Sequence, residues 1–155
     1  MKVRTRWYDR VLTCLSLGAL LAVTLYVLLA WKTLPEHPPS HFDFRGAADA
    51  WGNNKTTILV PLALAWFLFG LVTFTEHMPS TWNTVSGIRP ANIPRALRLS
   101  KTLIGVTKTG LSLFFAWSIF CAARGTDLGM AVTPLLLILV GIVPLVFVVL
   151  LLRLR

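Results

Sequence analysis

Residues 11–31 read VLTCLSLGALLAVTLYVLLAW, twenty-one consecutive positions without a charged side chain. A helix needs about 20 mostly apolar residues to cover the hydrocarbon core of a bilayer, so this segment reads as a membrane span. Three further stretches have the same character: 56–75, 102–123 (interrupted only by Lys108) and 128–152. The chain has 155 residues, and little of it lies outside these segments. The expected fold is therefore all-α and polytopic: residues 1–155 as a single four-helix membrane domain, with an extracytoplasmic loop over 32–55 and a cytoplasmic loop over 76–101.

Composition agrees with that reading. A hydrophobic fraction of 55% and a mean hydropathy of +0.71 suit a bundle that faces lipid. In lipid every backbone polar group must be satisfied within the protein, which leaves helices or closed barrels. Barrel strands alternate apolar and polar residues, whereas these runs are apolar on all sides, so helices are expected.

The formal net charge is +9, and its distribution speaks for topology rather than for a nucleic-acid partner. Lys2, Arg4, Arg6 and Arg10 precede the first span; Arg89, Arg95, Arg98 and Lys101 lie between spans two and three; Arg153 and Arg155 follow span four. The opposite side carries Lys32, Arg45, Lys55 and Arg124, matched by Glu36, Asp43, Asp49 and Asp127. Basic residues concentrate on the cytoplasmic side of membrane proteins. Both termini and the second loop are therefore expected in the cytoplasm, in a multi-pass protein of the cell membrane. The excess charge would also attract the anionic headgroups of the lipid bilayer.

The first span is expected to be retained. Its basic start resembles a secretory signal, but its length exceeds the usual h-region of 7–15 residues and no A-x-A cleavage site follows. Cys14 and Cys121 fall near opposite ends of their spans, too far apart for a disulfide, and read as packing residues. Trp7, Tyr8, Tyr26 and Trp31 flank the first span as interfacial aromatics do. Pro61 stands near the start of span two, where its missing donor does least harm. Pro144 should kink span four, with Gly141 easing the bend. Asn92 reads as an N-cap with Pro94 in the first turn of a helix that continues into span three.

Along that helix Arg98, Lys101, Gly105, Lys108 and Ser112 recur at steps of three and four and share one face. Lys108 is the ionisable residue inside a span. On depth it is expected to snorkel to the headgroups; the alternative is a polar cavity inside the bundle, completed by Ser112. Gly105, Thr109, Ser112 and Ala116 are small enough for close helix packing. Glu76 and His77, at the inner end of span two, are expected to meet water and headgroups.

The segment 32–55, KTLPEHPPSHFDFRGAADAWGNNK, is the most structured text outside the spans. Its prolines at 35, 38 and 39 force an extended lead-in. Residues 41–44 can form a strand with His41 and Asp43 on one face and Phe42 and Phe44 on the other. Gly46, Gly52, Asn53 and Asn54 supply turn chemistry, so the loop is expected to be an ordered lid. The order Leu34 with Pro35, Pro39, His41 with Phe42, Gly46, Asp49, Trp51 with Gly52, Lys55 and then Pro61 resembles the signature of a bacterial membrane-domain family. That family contains the SdpI-like immunity proteins, which protect a producing cell from its own secreted peptide toxin. The resemblance covers roughly residues 25–65. Here a second asparagine precedes the lysine, and the chain has four spans where full immunity proteins have more.

The resemblance implies a binding surface made of His41, Phe42, Gly46, Asp49, Trp51 and Lys55. His37, His41, Asp43 and Asp49 include zinc-ligand types, but two prolines separate the histidines and no metal-site spacing is present. His41 and Asp49 are instead expected to hydrogen-bond the loop backbone. No nucleophile elbow, Walker loop or intramembrane carboxylate pair occurs, so neither a catalytic residue nor a cofactor is assigned. Two readings remain: a non-enzymatic protein giving immunity against a membrane-active peptide or envelope stress, and an accessory subunit of a larger membrane transporter or enzyme.

Overall fold

The computed structural model describes residues 3–79, 82 and 87–155. Lys2, counted above among the basic residues, lies outside the described residues, as do positions 80, 81 and 83–86 of the second loop. The fold is mostly helical. Helix α1 spans Trp7–Leu29, α2 spans Leu59–Glu76 after a 3-10 turn at Lys55–Ile58, and α3 spans Ile93–Arg124. The fourth span, Val132–Leu152, joins two α segments through a π-helical turn at Ile138–Ile142. All four are long and apolar enough to cross a membrane, and the molecule is a multi-pass membrane protein. A two-stranded antiparallel hairpin, β1 (Pro39–Phe42) and β2 (Ala48–Trp51), lies between α1 and α2, and a 3-10 turn at Pro90–Asn92 leads into α3.

Helix α3 is the hub. It packs along both α1 and α2 and takes the fourth span on another face, whereas α1 and α2 touch little. Small residues set these approaches. Gly105 brings Leu12 against the α3 backbone, and Gly110 is filled so closely by the Leu139 side chain that a methyl group there would collide with it. In the fourth span Leu151 is buried and the other side chains are exposed or half-buried, which an apolar surface tolerates in lipid. Its π-helical turn ends just before Pro144. A proline leaves one carbonyl without its intrahelical donor, and a π-turn is one way a helix absorbs that defect.

Two kinds of interior share the bundle. Towards the hairpin end the core is apolar: Leu20, Val23 and Val27 of α1 meet Leu62 and Ala65 of α2 and Ile119, Ala122 and Ala123 of α3. Towards the end bearing both termini polar side chains are buried as well, Asp9, Ser16, Glu76, Ser100, Lys101, Lys108, Thr109 and Ser112, beside Ala96, Leu97 and Leu151. Helix α3 extends by 32 residues, about 48 Å at 1.5 Å per residue, so its basic first turns project beyond a hydrocarbon core of about 30 Å. Asn92 does not cap α3. Its own backbone is helical and its Nδ2 donates to the Leu154 carbonyl at 2.8 Å, tying the start of α3 to the chain's C-terminal end.

Candidate functional site

The hairpin begins with a strand set two residues earlier than the sequence predicts, and the reason is Asp43. Its Oδ1 accepts from the backbone N–H of Arg45 (2.8 Å) and of Ala47 (2.9 Å). The carboxylate therefore closes the turn, and Asp43 leaves the strand face it was expected to share with His41. Gly46 completes the turn with φ +80, a conformation in which a side chain is strained.

That glycine also makes the docking contact. Its carbonyl accepts from Leu128 N–H at 2.8 Å, and Asp127 Oδ1 accepts from Ala48 N–H at 2.9 Å. A Cβ at Gly46 would stand 2.6 Å from the Gly129 carbonyl oxygen. The hairpin is thus fastened to the connection between α3 and the fourth span, whose Leu128 carbonyl in turn accepts from Trp117 Nε1 at 2.9 Å. At the base of the hairpin, Gly52 N–H donates to Pro38 and His37 Nδ1 lies 3.0 Å from the Gly52 carbonyl. Phe42 packs against the apolar core. Lys55 lies 3.8 Å from Glu36 and over the Trp31 ring.

The six loop residues singled out from sequence therefore separate into two groups. Phe42, Gly46 and Lys55 are engaged in holding the hairpin on the bundle. His41, Asp49 and Trp51 point away from it: Trp51 is 59% exposed, and His41 Nδ1 meets Asp49 Oδ1 at 2.6 Å in an exposed pair. These two side chains bond each other, not the loop backbone as expected. Among the described residues, no three His, Cys, Asp or Glu side chains gather closely enough to hold a metal ion.

The second assembly lies inside the bundle and corrects the reading of Lys108. Its side chain is 1% exposed and does not reach the headgroups; Nζ donates to Glu76 Oε2 at 2.5 Å and to Thr13 Oγ1 at 3.0 Å. Glu76 is likewise buried, contrary to its expected solvation. Lys108 stands sixteen positions before Arg124, about 24 Å along the helix. An unpaired charge at that depth is costly, and pairing with bundle neighbours is the usual resolution. At the next residue, Thr109 Oγ1 meets Ser16 Oγ at 3.0 Å and the carbonyls of Leu12 and Gly105 at 3.1 and 2.9 Å. Ser112, also buried, lines a small apolar space beside Lys108 with Phe69 and Phe115.

Towards the chain termini the column continues through charge. Arg98 pairs with the buried Asp9, donates from Nη1 to the Arg4 carbonyl at 3.0 Å and stacks on the Tyr8 ring at 4.6 Å. Lys101 Nζ donates to Thr5 Oγ1 at 3.0 Å. The sequence signal for Glu76 was available: one acid at the end of an otherwise uncharged span and one lysine within another are natural partners.

The site architecture is that of a multi-pass membrane protein with a hairpin clamped to one end and a buried ionic column at the other. Residues 18–65, from within α1 through the hairpin into α2, match a family model described as a domain of unknown function, DUF1648; the match covers less than half of the chain. No curated protein matches the chain, and no solved structure does.

Proposed function

We propose that the chain is a non-enzymatic bacterial membrane protein that protects its cell against a membrane-active peptide, with the hairpin outside the cell and both termini in the cytoplasm. One observation carries this reading. The hairpin is fixed to the bundle at Gly46 and Ala48, yet His41, Asp49 and Trp51 are left on its free surface. A rigid support bearing an exposed tryptophan beside a polar pair is suited to binding, because little ordering entropy is lost on contact and aromatic anchors dominate interface energies. The loop's resemblance to the immunity-protein signature supports the same role.

The test is expression in a peptide-sensitive bacterium followed by challenge with membrane-active peptides. Survival should rise with the intact protein and return to the vector level with His41→Ala/Trp51→Ala at equal membrane abundance. Survival indifferent to the protein, or unaltered by the double substitution, removes the proposal.

The accessory-subunit reading draws on the fourth span, which is attached along one face of α3 and otherwise exposed, leaving a long apolar surface for neighbouring helices. Native mass analysis of detergent-purified protein separates the two readings, since a subunit copurifies with other chains in fixed ratio.

A further inference from the structure

At the end of the bundle opposite the hairpin, an open cavity of about 550 Å³ lies where residues 3–6, the first turn of α1 and the first turn of α3 meet. Four arginines line it: Arg4, Arg6, Arg10 and Arg98. Among the described residues only Arg98 has a carboxylate partner, Asp9; Arg4, Arg6 and Arg10 have none. The segment that carries these groups is nonetheless held in place. Arg98 binds the Arg4 carbonyl and Lys101 binds the Thr5 hydroxyl, while Arg6 N–H donates to Asp9 Oδ2 at 2.7 Å. Three arginines without a carboxylate partner among the described residues are thus concentrated in a concave site.

Guanidinium groups match phosphate oxygens in a forked, bidentate geometry. Helices α1 and α3 run parallel and both start at this cavity, so the positive ends of two helix dipoles add to the field. The surroundings select among phosphates. Trp7 lines the cavity and is 75% exposed, as an aromatic at the headgroup level is. Val11 and Leu15, also exposed, follow Trp7 at four-residue steps on the same helix face. They form an apolar stripe leading from the arginines into the span, as an acyl chain attached to a bound headgroup requires.

The geometry points to a binding site for one anionic phospholipid, its headgroup phosphate held by Arg4, Arg6 and Arg10 and its chain lying along Trp7, Val11 and Leu15. This site is remote from the hairpin and does not depend on the peptide reading. Basic pockets at helix ends are a known means of retaining such lipids.

Native mass spectrometry of the full-length protein, exchanged between micelles containing phosphatidylglycerol or phosphatidylcholine with identical chains, tests it. One phosphatidylglycerol should be retained in preference to phosphatidylcholine. Arg4→Gln/Arg10→Gln should reduce that retention about thirtyfold, given the contribution of each arginine near an anionic headgroup. Arg153→Gln/Arg155→Gln removes the same charge from the C-terminal end and should leave retention within about twofold. Equal retention of the two lipids overturns the proposal, as does an equal loss in both double variants, which marks general attraction to a basic surface. Displacement of the lipid by millimolar inorganic phosphate also overturns it, by assigning the cavity to a soluble anion.

Discussion

Lys108 Nζ on α3 lies 2.5 Å from Glu76 Oε2 at the end of α2, both side chains buried, and Thr13 of α1 completes the contact at 3.0 Å. One ammonium group therefore ties together three helices, two of which, α1 and α2, otherwise touch little. Removing either charge leaves the other buried without a partner, an effect of about 3–5 kcal/mol in proteins generally. Lys108→Met and Glu76→Leu should each destabilise the bundle by an amount of that order, and the double variant should recover most of the loss. Unfolding in detergent for the complete double-mutant cycle measures this. Additive losses would show that the pair contributes no coupling.

The Ser16–Thr109 contact is weaker and its two partners are unequal. Ser16→Ala removes one interhelical hydrogen bond, for which about 0.6 kcal/mol is typical within membrane proteins. Thr109→Val removes the same bond together with the donation shared by the Leu12 and Gly105 carbonyls. The valine variant should be the less stable of the two in the same unfolding assay.

Gly46→Ala should release the hairpin. It combines a positive φ with a Cβ placed 2.6 Å from the Gly129 carbonyl oxygen, and backbone strain of this kind costs about 1–3 kcal/mol. Amide hydrogen exchange at Leu128 and Ala48 should accelerate, because their acceptors, Gly46 and Asp127, belong to the same contact. Gly18→Ala, where no atom lies within 4 Å, should leave both rates unchanged.

The charge asymmetry makes an accessible prediction of orientation. Phe44 is 73% exposed at the hairpin turn. In a Cys14→Ser/Cys121→Ala background, Phe44→Cys should react with a membrane-impermeant maleimide added to intact cells. Labelling confined to lysed cells would reverse the assigned topology.

The hairpin shows where reading along the chain reached its limit. Gly46 was legible as a turn residue, since glycine has a local conformational reason to be there, whereas Asp43 read as a strand residue and only the structure shows its carboxylate closing the turn. That Gly46 also marks the point where another loop approaches was not legible, because Leu128 and Gly129 lie some eighty positions away. The split of the six loop residues into three that dock and three that face away has the same origin. Lys108 is the parallel case in the interior. Its depth predicts snorkelling, and only the arrival of Glu76 and Thr13 from two other helices makes burial the lower-energy state.

The sequence by itself determined four lipid-crossing helices, their order and the asymmetric placement of arginine and lysine, because solvation by lipid or water acts on each segment separately. Tertiary structure alone decided that α3 would be the hub, that Glu76 would meet Lys108, and that the hairpin would be fastened at Gly46. Each of those outcomes is a pairing between distant groups, and the energy of a pairing depends on what lies across from a residue once the chain has folded.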